Sequence, residues 1–395
     1  MIELFLFKYL KLFGFFLLLL ISILLITSCN STNDEFQEFQ DFESSRIERR
    51  DFLYENMKKF NRFTKESKEQ ENNKTIENIQ EDHKAKSVEI VFAGDILLAD
   101  NVGNAISRLS LKEMFAHTGT HTQDADIFIA NLENPISTRG IPEDNKQYLF
   151  RAKPESVEVL NYLGLDVAIL ANNHILDFGH DALLDTIDIL NVNNIKYSGA
   201  GKNYKRAIAP IYLEKNDLTI AVVSSSHVVP FVSWYATYNT PGVTGVYDPS
   251  VMISSIKKAS DNADLVISYL HWGVELEKYP EEYQKTLGRK LIDAGSNIVV
   301  GCHPHVLQGI EYYNDGVIAY SLGNFIFTNL KRDTMNLKVT VNEDSIKKVQ
   351  VIPYEIINYF PNEVTDKVKK NEIFKKVEEI SWGISIDEYG FVLNK

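Results

Sequence analysis

Beyond residue 87 the chain alternates between short apolar runs and longer stretches whose apolar positions recur every three or four residues. The runs at 88–93, 127–130, 167–170, 218–223, 265–270, 298–300 and 317–320 are rich in β-branched residues and mostly unbroken by polar ones. That is the pattern of strands buried on both faces. Helical spacing lies between several of them, at 156–163, 182–190, 251–259 and 282–294. Strand and helix in alternation predict an α/β layered fold around a parallel or mixed sheet, with a body over 88–330. Residues 331–395 read as a C-terminal extension, with a hairpin at 337–341 and 349–351 and a Lys/Glu-rich helix near 368–380.

The N-terminal pattern differs. Lys8 and Lys11 precede an uncharged apolar run to residue 28, and Cys29 follows. A positive start and an apolar stretch predict an export signal over 1–29. Ile26-Thr27-Ser28-Cys29 resembles a bacterial lipobox, so Cys29 is the expected lipidation site. An uncleaved anchor helix is the alternative, because the run is near the lower limit for spanning a bilayer. Either way the body is expected outside the cytoplasm, held at the cell membrane. With Cys29 acylated, Cys302 is the one thiol left, so no internal disulfide can form and the core must hold the fold. Residues 30–87 contain no Gly or Pro and are dense in Glu, Lys, Asn and Gln, as expected of a polar stalk.

Charge narrows the partners. The 395 residues carry 41 Lys+Arg against 54 Asp+Glu, a net −13, and the excess falls in residues 87–330, with 28 acidic against 17 basic groups. Such a surface lacks the cationic term behind most nucleic-acid binding, and no basic patch offsets it, so no nucleic-acid partner is expected.

The polar residues that follow the apolar runs carry the chemistry. Asp95 follows the first run, Asn131 and Glu133 the second, and Asn172, Asn173, His174 and Asp177 the third; His271 and Glu275 follow the run at 265–270, and His303 and His305 the run at 298–300. In open α/β sheets the ligand crevice lies outside the carboxyl ends of the strands, so these distant groups are expected to converge. Carboxylates, an amide oxygen and imidazoles together suit Mn, Fe or Zn and lack the thiolates of a structural zinc site. A divalent ion there would act as a Lewis acid and activate water, which points to hydrolysis of a phosphate ester or an amide. Outside this set, His83, His117, His121 and His180 read as surface or capping residues and His227 as a lining residue. Cys302 reads as a small buried apolar residue, Trp272 as packing against the site wall and Glu275 as a rim residue.

In order along the chain, Gly94-Asp95, Asn131-Leu132-Glu133, Asn172-Asn173-His174 with Asp177 and Gly179, His271-Trp272-Gly273, Gly301-Cys302-His303-Pro304-His305-Val306 and Ser321-Leu322-Gly323-Asn324-Phe325 resemble the capsule-synthesis CapA family. That family is associated with poly-γ-glutamate capsule production and is itself similar to calcineurin-like metallophosphatases. The resemblance covers about 88–327 and implies a four-layer β-sandwich flanked by helices, with one or two metal ions. It implies Asp95, Glu133, Asn173, His271, His303 and His305 as metal ligands and His174, with Asp177, as catalytic. Asn131 and Arg151 are the expected substrate-binding residues. The sequence departs from the phosphatase pattern at Leu97, where that pattern has an imidazole.

The leading expectation is an exported, lipid-anchored protein of capsule or poly-γ-glutamate synthesis with a metal-dependent hydrolase site. Its expected partners are a cell-surface anionic polymer or the machinery that makes it, and the membrane. The alternatives are a non-catalytic component of a polymer assembly or export complex, and a general metallophosphoesterase.

Overall fold

The computed structural model describes residues 87–328, 332–343 and 345–395. The signal segment, Cys29, His83 and nearly all of the stalk lie outside the described residues.

A first sheet begins with four parallel strands, β1 (Ser87–Ile96), β2 (Ile127–Leu132), β3 (Val167–Ile169) and β4 (Lys196–Ser198), side by side in that order. A second sheet holds β5 (Ile211–Lys215), β6 (Leu218–Ser226), β7 (Leu265–His271), β8 (Ile298–Cys302), β9 (Ile310–Tyr313) and β10 (Gly316–Ala319). Its spatial order is β9-β10-β8-β7-β6-β5, with β6, β7, β8 and β10 parallel. The chain then returns to the first sheet. There β11 (Asn324–Ile326) pairs with the end of β1, and β12 (Asp333–Asn342), β13 (Ile346–Ile357) and β14 (Phe360–Glu363) extend the sheet antiparallel on the other side of β1.

Burial explains why the strand runs are continuous. On β1, Ile90 and Phe92 face the second sheet and join a core with Ile220, Val222, Ile267, Val300 and Leu337. Val91 and Ala93 face the other way, against Val159, Leu160 and Leu163 of α1 (Val157–Leu163) and Leu183, Ile187 and Leu190 of α2 (Gly179–Val192). The outer face of the second sheet is covered by α3 (Ser250–Ser260) and α4 (Glu282–Asp293) through Met252, Ile256, Leu287 and Leu291. Helix, sheet, sheet and helix make the expected four-layer sandwich. Each large aliphatic or aromatic side chain so buried contributes roughly 2 kcal/mol.

The C-terminal residues belong to this body. The expected hairpin is present and longer, and β12 pairs with β1 from Ser87–Asn342 to Phe92–Leu337. Ile373, Phe374 and Val377 of α5 (Lys367–Glu379) enter the core between the sheets. Residues 331–395 thus complete the first sheet: strand β12 shares its hydrogen bonds with the strand that starts the body. The short strands β4, β5, β9 and β14 were not anticipated, because brief segments with interspersed polar residues carry little periodic signal. Among the described residues no helix is long and apolar enough to cross a membrane.

Candidate metal centre

The carboxyl ends of β1, β2, β3, β7 and β8 meet at one edge of the two sheets and bring the predicted residues together. Gly94 makes the meeting possible: a Cβ there would lie 1.7 Å from the Gly323 carbonyl oxygen, which accepts the Asp95 N–H at 3.1 Å. Gly301 is similarly constrained, since a Cβ would lie 2.1 Å from the Tyr320 carbonyl oxygen. After β8 the chain turns sharply, with His303 at φ 97° and His305 at φ 58°. Such backbone is uncommon for residues with a side chain and costs of order 1–3 kcal/mol each. It aims both imidazoles inward.

Two groups of donors result. Asp95, His271 and Cys302 form one, and Glu133, His303 and His305 the other, and within each group the ligand atoms all lie within 4.8 Å of one another. His271 Nε2 is 2.9 Å from Asn173 Oδ1 and 3.8 Å from Glu133 Oε1, which is also 3.9 Å from His305 Nε2. All six predicted ligands thus share the site. His305 Nδ1 approaches Asp95 Oδ2 at 3.1 Å and Asn324 Oδ1 at 2.8 Å.

The electrostatics are those of a donor set short of positive charge. Burial and the neighbouring Asp95 push the Glu133 carboxyl well above the usual range, favouring its neutral form. Burial, then His303, hold His271 well below the ordinary imidazole value, and burial holds His303 down to about 3. Burial alone would raise Asp95, but the His305 contact outweighs it and keeps that carboxyl low. Buried Glu133 Oε1 and His303 Nδ1 have no hydrogen-bond partner among the described residues. Orphaned buried polar atoms are costly, and a carboxyl oxygen and a ring nitrogen left without partners in a mixed O/N set fit a divalent cation.

A chain of amides fixes the geometry. Asn172 Oδ1 accepts the His174 and Ile175 N–H groups, Asn172 Nδ2 donates to Asn131 Oδ1 at 3.0 Å, and Asn131 Nδ2 donates to Asp95 Oδ1 at 2.8 Å. Asn131 is fully buried, so its expected substrate-binding role is corrected: its amide is spent on positioning Asp95. Arg151, the other expected substrate-binding residue, is half-buried. Its guanidinium stacks 4.1 Å over Phe178 and donates to the Arg139 carbonyl, which ties the loop it belongs to.

One cation at the cleft is Lys146, which the sequence reading missed; another is Arg332, which donates to the His305 carbonyl at 3.1 Å. The Lys146 Nζ lies 2.5 Å from Asp177 Oδ1, 2.7 Å from His174 Nδ1 and 5.5 Å over the Trp234 ring. Burial pulls its ammonium below the usual lysine range against the pull of Asp177. Asp177 is fully buried and its Oδ2 approaches His174 Nδ1 at 2.8 Å and accepts the Phe150 N–H. Its two oxygens thus meet His174, Lys146 and the Phe150 backbone. Nothing in the local sequence separates Lys146 from Lys153, which is exposed; only the path of the loop does. Asn324, in the Ser321–Phe325 motif, also reaches the site through His305.

Other residues fall around this set. Leu97 is buried with Phe150 and Phe327, so no donor stands where the phosphatase pattern has an imidazole. Glu275 is exposed. Trp272 is buried in the wall and donates to the Tyr320 carbonyl at 2.9 Å. His227 stacks between Tyr247 and Tyr283 beside the cleft.

The profile of the bacterial capsule synthesis protein PGA_cap family matches residues 89–329. The chain belongs to that family. It is 31% identical over 303 residues to the capsule biosynthesis protein CapA of Bacillus anthracis, covering 73% of this chain and 72% of the relative. It is 32% identical over 296 residues to the PGA biosynthesis protein CapA of Bacillus subtilis, covering 73% and 77%. Among solved structures, the NAD nucleotidase of Haemophilus influenzae is 11% identical with a TM-score of 0.40, over 78% of this chain and 58% of that one. A likeness that distant carries no function.

Proposed function

We propose that this family member is a lipid-anchored, extracytoplasmic component of capsule or poly-γ-glutamate production whose body hydrolyses or trims a cell-surface anionic polymer with a divalent cation. The observation that carries the reading is the convergence of two three-donor groups around Glu133 Oε1 and His303 Nδ1, both buried and unpartnered. Asp95, Glu133, Asn173, His271, His303 and His305 would hold the ion, with Mn, Fe or Zn the elements suited to these donors. When bound, such an ion supplies a Lewis acid that polarises an acyl or phosphoryl oxygen and activates water.

The rest is the work of this chain. His174, held by Asp177 and Lys146, is placed to pass a proton to a leaving group. Lys146 supplies the local positive charge that an anionic substrate needs in an otherwise acidic body. The membrane reading rests on the Lys8–Cys29 pattern and the capsule role on the family.

Purified protein should bind Mn or Zn, and His303→Ala with His305→Ala should abolish binding. Reconstituted wild-type protein that retains no metal would sink the catalytic reading. A non-catalytic role in polymer assembly is favoured by one observation, the buried Leu97 in place of an imidazole. Complementation of a deletion strain by the double variant would select it.

A further inference from the structure

We propose that Cys302 is the positioning residue of His271: its sulfur accepts the Nδ1–H of that ring and so leaves Nε2 as the nitrogen that meets a divalent cation. This rests on the metal reading above. Cys302 and His271 are register partners at the ends of β8 and β7, and Sγ lies 3.3 Å from Nδ1. The other group near that nitrogen is Asn131 Nδ2, at 3.5 Å. It cannot accept a proton, because the amide chain through Asn172 and Asp95 fixes Nδ2 as its donor end. Sulfur is the acceptor in reach, although a weak one.

The opposite edge of the ring looks toward ligands. Nε2 is 2.9 Å from Asn173 Oδ1 and 3.8 Å from Glu133 Oε1, a fully buried carboxylate oxygen with no hydrogen-bond partner. Ligating histidines as a rule donate their second ring N–H to a fixed acceptor, and losing that acceptor typically costs 10–100-fold in metal affinity. Here a thiol takes the place usually held by a carboxylate or carbonyl. Its Sγ also belongs to a three-donor group with Asp95 and His271, so direct ligation by sulfur is the competing outcome.

Three measurements on the full chain decide the matter. Zinc titration of Cys302→Ala should show roughly 10–100-fold weaker binding, and Cys302→Ser, which restores an acceptor, should recover most of it. Nitrogen-15 NMR of zinc-loaded, histidine-labelled wild-type protein should find His271 protonated at Nδ1 and metal-bound at Nε2. X-ray absorption of the same sample needs no variant and should find only nitrogen and oxygen around zinc. A sulfur neighbour at about 2.3 Å, metal on Nδ1, or a Cys302→Ala variant that binds zinc like wild type would each overturn the inference. Wild-type protein that binds no zinc would instead bring down the metal reading itself, and this inference with it.

Discussion

At the residue scale, buried charge is the main lever. Asp177 is fully buried, and Lys146 is the cation that offsets it at 2.5 Å. Removing one partner of a buried pair leaves an uncompensated charge, so Lys146→Met should lower stability by roughly 3 kcal/mol, read as a shift in the urea midpoint. The imidazoles set the pH dependence of the metal-free protein. Burial, then the nearby His305, hold His303 at about 3, well below the ordinary imidazole value of 6.5. The unfolded chain therefore takes up a proton that the folded one refuses, and acidification from about pH 6.5 towards 3 should remove about 4 kcal/mol of stability. Glu133, whose carboxyl is raised, acts with the opposite sign: its contribution is lost as pH rises. Urea midpoints of chelator-treated protein across this range should show the acid limb, and His303→Gln should flatten it.

At the element scale, the site depends on how closely strands approach one another. Gly94 lies against the Gly323 carbonyl so tightly that any side chain must push β1 away from the turn that carries Asn324. Gly94→Ala should cost more than 3 kcal/mol, in the range of severe overpacking, and should weaken metal binding as Asp95 moves. Thermal melts and metal titration of one preparation check both effects. The Gly-Asp and Gly-x-His-Pro-His motifs were readable along the chain as ligand sites. Why glycine stands in each became clear only from the opposing carbonyls of Gly323 and Tyr320. Lys146 was missed for the same reason: a loop residue acquires its neighbours from the path of the loop, and no local pattern encodes that path.

At the scale of the whole molecule, β1 is held between β2 and β12, so the chain beyond residue 331 is part of the body's own sheet. Protein ending at residue 330 would leave one edge of β1 unpaired and uncover the part of the core that β12, β13 and α5 bury. It should be insoluble or protease-sensitive, whereas protein lacking the residues before 87 should melt cooperatively. Limited proteolysis and calorimetry of the two truncations test this difference. The acidic excess of the body also takes on a shape: half-buried Lys146 at the cleft stands against carboxylates that a cation would neutralise.

The sequence by itself determined the layered α/β class and the strand ends at which the six candidate donors gather. Two-sided burial writes a continuous apolar run, and polar residues right after such a run must lie at a sheet edge. Tertiary structure alone decided the rest: that Asn131 positions Asp95, that Arg151 braces a loop, that Lys146 reaches His174, and that Cys302 faces His271. Each is a contact between strands or loops far apart in the chain. A side chain's type sets which hydrogen bonds it can make, but the packing of the two sheets decides which partner it finds.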